Sequence, residues 1–409
     1  MGGSATDQTF AAGTPKLLRA INERTVLDLI RQTGPASRAQ LARGSGLSKP
    51  TVSLALAALE DAKLVRAAGR TSGGKGPTAV LYELNPKAGW VVGIHIGRDL
   101  VRAAIADLTG EAIARRDERA KARSADALIE QVADLAHGLA ADAGIRWRQV
   151  TVATVGSPGV LNVGRDRVSL AHNLPGWGRP GLLESLSAAL GTGVRFENDV
   201  NLATVGEQWR GLGKGVDDFV YLHAGTGVGM GLVLNGSLYR GATGAAGEVG
   251  YLPLAAVDPH DSAAVRRGAL EEAVGAVGLR ALARSLGMKA PFTPARIFEA
   301  ARRDDPAARR VTQVVAERLA LAIAAIVPVV DPELVILGGS IASNGDLLLE
   351  PVERELAALS PFRPRVEISA LGGDAELTGA LAMALEAAQE RLFDRGEGTG
   401  GLTSEVGER

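Results

Sequence analysis

Two stretches of the chain carry residues whose types and spacing can do chemistry. The first is Ser48-Lys49-Pro50-Thr51-Val52-Ser53. A helix starting there, after the tight turn Gly44-Ser45-Gly46, reads as the second helix of a helix-turn-helix. The N-terminal part of such a helix enters the DNA major groove. Lys49, Thr51 and Ser53 then stand near DNA, with Ser48 acting mainly as the helix cap. Lys49 suits a phosphate better than a base edge, and the hydroxyls of Thr51 and Ser53 suit either. The second stretch is Glu197-Asn198-Asp199. A carboxylate at a strand end can accept a proton or hold a hydroxyl through a charge-assisted hydrogen bond. An Asn beside it offers both donor and acceptor to a vicinal diol. The same Asn-Asp pair also suits a helix cap, and the residues alone leave both readings open.

The elements that must position these groups follow from periodicity. Residues 1–15 read as a flexible tail. Leu17, Leu18, Ile21, Val26, Leu27, Leu29 and Ile30 recur at helical spacing and stop at Gly34-Pro35. Ser37 with Gln40 has capping-box spacing for a short second helix. Pro50 is tolerated in the first turn of the third helix, where its missing N–H costs nothing. A strand, a Gly-rich loop and the alternating run Ala79–Leu84 then read as a hairpin wing. Arg66, Arg70 and Lys75 lie on or beside it, and the loop Gly73–Pro77 is placed to reach an adjacent minor groove. Residues 16–87 therefore form a winged helix-turn-helix.

Beyond Pro86 the chain reads as α/β. Three strands with turns at Gly97-Arg98-Asp99 and Thr109-Gly110 precede a helix over 124–143 and the apolar strand VTVATVG. A second strand set begins at Asp218 and ends in GATGAAGEVGYLPL, followed by helices over 269–326, the strand LVILGG and a terminal helix at 376–393. Two strand-strand-strand-helix sets, each with a Gly-rich first turn, predict two lobes facing a cleft. The expected boundaries are 88–205 plus 376–393 for lobe 1, 206–375 for lobe 2, and a disordered tail over 394–409.

Composition narrows the function classes. Hydrophobic residues make up 46% of the 409, enough for packed cores. Aromatics are only 4%, which argues against a stacking surface for single-stranded nucleic acid. The absence of Cys removes disulfides, thiol nucleophiles and thiolate zinc sites. The first residues lack a basic region followed by an apolar run, and the apolar run at Leu319–Val330 is short for a span of about 20 residues. A cytoplasmic protein without membrane association is expected. Residues 16–87 carry 12 Lys/Arg against 5 Asp/Glu, although the whole chain has a net charge of −1. A basic head on an acidic body fits a polyanion-binding module.

Several ordered motifs, HNLPGWG, FENDVNLATVGE, HAGTGVGMGLVLNGSLYRGATGAAGEVGY and DPELVILGGSIASNGDLLL, together resemble the ROK family of sugar-responsive repressors, open reading frames and sugar kinases. The resemblance covers about residues 88–390, and the winged head extends it to the repressor branch. It implies an actin-like, ribonuclease-H-like pair of lobes around a sugar and nucleotide cleft. Asp199 matches the general base of the kinase members. Asn198, Glu248 and Glu271 match sugar-site positions, Tyr251 takes the place of a sugar- and zinc-binding His, and Asn173 lies in a loop expected to close on the sugar.

Departures from the family pattern set the functional expectation. Kinase members open with Asp-x-Gly-Gly-Thr, where this chain has His95-Ile96-Gly97-Arg98-Asp99. Mg²⁺ needs oxygen ligands, and a phosphate cradle needs close backbone approach. His95 is a poor substitute for the metal-linked Asp, Arg98 fills phosphate space, and Asp99 repels phosphate. Gly97, Arg98 and Asp99 thus form a degenerate phosphate loop, although Gly225–Gly229 keeps the second loop's sequence. The family's cysteines are replaced by DPHDSAAVRRGALEE, so no zinc, ATP-Mg or other metal is expected; His260, Asp258 and Asp261 read as surface residues. The expected protein is a DNA-binding regulator, by default a repressor, of carbohydrate genes. Its effector is a sugar or sugar phosphate, and no residue is expected to be catalytic. A homodimer or homotetramer follows from operator symmetry, and double-stranded operator DNA is the other partner. The alternative is an ATP-dependent sugar kinase with a DNA-binding appendage.

Overall fold

A computed structural model describes residues 15–70, 79–162, 167–171, 174–253 and 262–397. The wing loop with Lys75, the residue Asn173, the segment holding Asp258, His260 and Asp261, and the outermost termini lie outside the described residues. The chain divides into two compact units. One holds the head through Val91, Ala106–Glu111 and the described residues from Leu385. The other holds Val92–Ile105 and Ala112–Ala384.

The head is built from α1 (Pro15–Thr33), β1 (Ala36–Ser37), α2 (Arg38–Ser45), α3 (Lys49–Asp61), β2 (Val65–Arg70) and β3 (Val80–Leu84). Pro15 already begins the first helix, one residue inside the expected tail. Local chemistry sets the helix starts. Ser37 and Gln40 form the reciprocal capping box of α2, and the Ser48 hydroxyl accepts the Thr51 amide hydrogen at the start of α3. Gly46 caps α2 at φ 71°, a left-handed conformation that glycine adopts at no steric cost. Val26, Ile30, Leu41, Val52, Leu56 and Leu59 meet in the core of the three helices. The wing is a sheet of order β1-β3-β2, in which Ala36 and Ser37 pair with Tyr82 and Leu81. That third strand is too short to announce itself by alternation.

The second unit contains two five-stranded sheets. The first is drawn from β4 (Trp90–Ile96), β5 (Leu100–Asp107), β6 (Ala112–Arg119), β7 (Val150–Ser157) and, beyond the small hairpin of β8 (Val160–Asn162) and β9 (Arg167–Ser169), β10 (Gly193–Asn198). Its order is β10-β7-β4-β5-β6, with β10 parallel to β7. The helices α4 (Ala125–Asp142), α5 (Leu182–Leu190) and α6 (Asp199–Arg210) accompany it. Every residue of β7 is buried, as expected of a strand covered on both faces. A Cβ on Gly156 would lie 2.2 Å from Cδ1 of Leu202, so this glycine lets α6 settle directly on β7.

The second sheet has the order β13-β12-β11-β14-β15. Its members are β11 (Phe219–Ala224), β12 (Val228–Leu234), β13 (Ser237–Leu238), β14 (Leu334–Gly338) and β15 (Arg365–Ile368). β14 runs parallel to both β11 and β15. All strands of the first sheet fall within residues 88–205 and all strands of the second within 206–375. The helical layer comprises α7 (Ser262–Arg267), α8 (Ala269–Val274), α9 (Ala276–Ser285), α10 (Pro294–Arg302), α11 (Pro306–Val330), α12 (Gly339–Ala342) and α13 (Gly345–Leu359). Among the described residues, α11 is long and apolar enough to cross a membrane. Its residues Val311, Val315, Leu319, Ile323 and Ile326 recur at helical spacing and are buried in the core beneath the second sheet, so it is a core helix here.

The terminal helix α14 spans Ala375–Glu397, correcting the expected start of disorder at 394. Gly396 in the last turn weakens a helix by only about 1 kcal/mol and does not end it. The residues of α14 through Ala384 group with the second compact unit and the described residues from Leu385 with the first.

Candidate functional site

The second unit contains a cavity of about 390 Å³. That lies within the rough 300–1,000 Å³ range of small-molecule sites. The sequence-predicted residues Asn198, Asp199, Glu248, Tyr251 and Glu271 all line it, together with Gly97 and Arg98 of the altered first loop. Asp99 is exposed in the same turn and does not line the cavity.

The Glu-Asn-Asp motif ends β10 and opens α6. Asn198 is the cap of α6: its Oδ1 accepts from the amides of Val200 and Asn201 at 2.9 and 3.1 Å. Its Nδ2 donates to the Gly159 carbonyl at 3.0 Å. The cap and ligand readings are therefore compatible only in part, because one Nδ2 hydrogen remains for a ligand. Asp199 stands at the first helical position, where its Oδ1 accepts from the Val200 amide at 2.9 Å. Burial raises its pKa to about 6, against the opposing effect of the backbone donors.

Glu197 was not singled out from the sequence, yet it holds the motif together. It is buried. Its Oε1 accepts from the Asn198 amide at 3.0 Å and from Asn201 Nδ2 at 2.9 Å. Its Oε2 accepts from Arg240 Nε at 2.7 Å. Arg240 comes from the turn after β13, 43 residues away, and no local pattern announces it. Trp177 was also missed: it is fully buried and donates its indole hydrogen to Ser157 Oγ at 2.8 Å, fixing the loop after Asn173 against the end of β7.

Two further carboxylates arrive on short turns. Glu248 precedes a single 3₁₀ turn, Val249–Tyr251. Gly247 brings it in: φ is +93°, and a Cβ there would lie 1.8 Å from the Met230 carbonyl oxygen. Burial raises the Glu248 pKa to about 7, with Asp199 and Glu271 adding like-charge repulsion. Glu271 lies in the first turn of α8, and its Oε2 accepts the Val228 amide hydrogen at 3.0 Å. Burial raises its pKa as well, with the Val228 amide opposing. Tyr251 donates its hydroxyl hydrogen to the Arg266 carbonyl at 3.0 Å, so that donor is committed to the fold.

The cavity is also lined by His95, Arg98, Arg102, His223, Ser340 and Glu376. Burial drives the pKa of His95 to about 3 and that of His223 to about 4, so both imidazoles are neutral near pH 7. The buried Nδ1 of His95 has no hydrogen-bond partner. The second Gly-rich loop is turned on itself: the Gly225 amide donates to the Gly227 carbonyl at 2.9 Å, and the Val228 amide serves Glu271. Of this loop's amides, those of Gly225 and Val228 are thus committed within the fold. Among the described residues no group of three or more His, Asp or Glu side chains is set to hold a metal ion.

In the head, the outward face of α3 begins with exposed Lys49 and Pro50. Ser53 is half-buried on the same side, and Thr51 shares a 2.8 Å hydrogen bond with the Ser48 hydroxyl. Arg70 is exposed on β2. Arg66 is half-exposed and paired with Glu83 across the hairpin at 2.7 Å, which reduces its free charge.

Residues 91–387 match the ROK family, and residues 19–66 match a winged helix-turn-helix DNA-binding family. The chain belongs to the ROK family. Its ROK domain carries the cavity and its winged head precedes it. The chain is 28% identical to a xylose repressor of Caldicellulosiruptor bescii over 392 residues, covering 91% of this chain and 97% of the relative. It is 27% identical to a glucokinase of Halalkalibacterium halodurans over 330 residues, covering 76% of this chain and 98% of that enzyme. A crystal structure of a ROK family transcriptional regulator, a homolog of the E. coli MLC protein, superposes with a TM-score of 0.77 at 22% identity. It covers 93% of this chain and 98% of that one, and establishes the shared fold.

Proposed function

We propose that the protein is a sugar-responsive DNA-binding repressor of the ROK family. The observation that carries this reading is the winged head, with a capped helix α3 whose outer face is open to a DNA groove. The comparisons support it. The similarity to the xylose repressor spans nearly the whole of both chains, whereas that to the glucokinase leaves about a quarter of this chain unmatched. The effector is a sugar or sugar derivative, held among Asp199, Glu248, Glu271, Tyr251 and the remaining amide hydrogen of Asn198, and Asn173, outside the described residues, is proposed as a further contact. Carboxylates accept sugar hydroxyl hydrogens through charge-assisted bonds, a common way to hold a polyol in a small cavity.

DNA contacts are assigned to Lys49, Thr51, Ser53, Arg66, Arg70 and Lys75, with Ser48 holding the helix start. A homodimer or homotetramer presents two heads to a pseudo-palindromic operator. The sugar changes operator affinity only by binding one arrangement of the protein more tightly than the other. The protein acts in the cytoplasm and without metal or nucleotide. Phosphoryl transfer depends on positioned phosphates and neutralised charge, and the neutral imidazole of His95 in the cavity, a poor ligand for Mg²⁺, supports this reading.

The test is fluorescence anisotropy with the DNA upstream of the protein's own gene and a scrambled fragment at equal salt. A panel of sugars and sugar phosphates is then titrated against the complex. Preferential binding that one sugar relieves is the expected result. Equal binding to both fragments, with ATP-dependent sugar phosphorylation that Asp199→Asn abolishes, would establish the kinase instead.

A further inference from the structure

The outer face of α3 carries an unusual set of side chains for a helix that reads DNA. Pro50, Ser53, Leu54 and Ala57 follow the i, i+3, i+4, i+7 spacing of one helical stripe. Val52, Ala55, Leu56 and Leu59 are buried on the opposite side. Leu54 is 68% exposed, the most exposed large apolar side chain among the described residues of the head. The stripe contains no Arg, Lys, Asn, Gln, Asp or Glu. The charged residues of α3 sit at its ends, Lys49 at the first position and Glu60 and Asp61 at the last two.

This composition limits what the helix can read. Guanine is recognised through paired hydrogen bonds from Arg or Lys, and adenine through paired hydrogen bonds from Asn or Gln. The stripe has neither. Thr51 beside it shares a 2.8 Å hydrogen bond with Ser48, and its single hydroxyl cannot make the paired hydrogen bonds that Arg, Asn or Gln make. The remaining tools are the single hydroxyls of Thr51 and Ser53 and an apolar surface centred on Leu54. The major groove of unmodified DNA offers one apolar handle, the C5-methyl group of thymine. An exposed leucine also gains by leaving water, so the contact is favourable as well as selective.

Resting on the reading of α3 as the recognition helix, we infer that Leu54 is a specificity residue that reads a thymine methyl group in each operator half-site. Lys49 and the α3 N-terminus hold the phosphate backbone and fix the register. Ser53, one residue away on the stripe, contacts the neighbouring base edge. The chemistry recognised is thus a methyl-bearing pyrimidine step in the major groove of duplex DNA.

The experiment begins with selection of binding sites from a randomised duplex pool by the full-length protein. Each thymine of the resulting consensus is then replaced by deoxyuridine, which removes only the methyl group and keeps the base pair. Affinity is measured by anisotropy at one salt concentration for the wild type and for Leu54→Ala. Wild type should lose roughly fourfold per half-site at one thymine position, the factor that one buried methyl group is worth. Leu54→Ala should bind the thymine duplex more weakly and should be indifferent to uracil at that position. Because Leu54 is exposed, the variant keeps its helical circular dichroism and its salt-sensitive binding to nonspecific DNA. A consensus whose every thymine tolerates uracil overturns the inference, as does a Leu54→Ala protein that remains as uracil-sensitive as wild type. Either result leaves the regulator reading standing. A pool that yields no consensus overturns the regulator reading and this inference with it.

Discussion

Glu271 Oε2 accepts the amide hydrogen of Val228 at 3.0 Å, so a cavity carboxylate and the second Gly-rich loop hold each other. A Cβ on Gly227 would lie 2.8 Å from the same carboxylate oxygen, and Gly227 is what permits the approach. In this chain the loop thus braces the wall of the cavity that carries Glu271. Glu271→Ala strands the Val228 amide without a partner. That should cost about 1–3 kcal/mol and lower the thermal midpoint by several degrees. Adding the cognate sugar should restore little of it. Thermal scans with and without sugar measure both effects, and an unchanged midpoint would show that the bond contributes nothing.

Glu248 makes the cavity sensitive to pH. Its pKa rises from the ordinary 4.5 to about 7 because burial and neighbouring carboxylates disfavour the charge. A carboxyl whose folded pKa is raised binds its proton more tightly in the native state. Stability is then greatest below the unfolded pKa, declines as pH rises from about 4.5 to about 7, and is flat above. Glu248→Gln removes this penalty. The variant should be more stable than wild type at pH 8, by up to about 3 kcal/mol, and the two should converge near pH 4.5. It should also respond poorly to the sugar, since a neutral amide accepts hydroxyl hydrogens more weakly than a carboxylate. Thermal midpoints across pH 4.5–8 check the first point and sugar titrations the second.

Gly247 carries a sharper expectation. Its φ of +93° and the 1.8 Å approach of an added Cβ to the Met230 carbonyl leave no room for alanine. The Met230 amide also donates to the Gly247 carbonyl at 2.8 Å, so the turn is pinned to β12 from both sides. Gly247→Ala should displace the turn bearing Glu248 and abolish sugar binding, with a stability loss of at least about 2 kcal/mol. Calorimetric titration and a thermal scan are the measurements. Tight sugar binding by the variant would mean that Glu248 is not where the sugar is held.

These sites differ in how far the sequence discloses them. The Ser37–Gln40 capping box and the Ser48 cap are legible because donor and acceptor lie three residues apart and the geometry is local. The two lobes are legible because each repeats strand and helix periods. Asn198 is legible by type but divided in use, since the same side chain caps α6 and faces the cavity. The support behind the motif is not legible. Glu197 reads as one more charged residue until Arg240 meets it, and the pairing of Ala36 with Tyr82 spans most of the head. Contacts of this kind depend on tertiary packing, for which a single sequence carries no period or spacing.

The Glu197–Arg240 pair gives the test of that hidden support. Glu197 is 7% exposed by side chain and Arg240 is 42% exposed. Coulombic gain from the pair is moderated by water on the arginine side, so the pair itself contributes modestly. Removing Arg240 nevertheless leaves a buried carboxylate with only neutral donors, the Asn198 amide and Asn201 Nδ2. Arg240→Ala should therefore destabilise the ROK domain by about 1–3 kcal/mol. It should also weaken sugar binding severalfold, although Arg240 does not line the cavity. The double variant Glu197→Gln/Arg240→Ala should recover part of the stability, because the orphaned charge is gone while Asn201 keeps an acceptor. A double variant no more stable than Arg240→Ala would mean that the arginine acts through packing rather than charge.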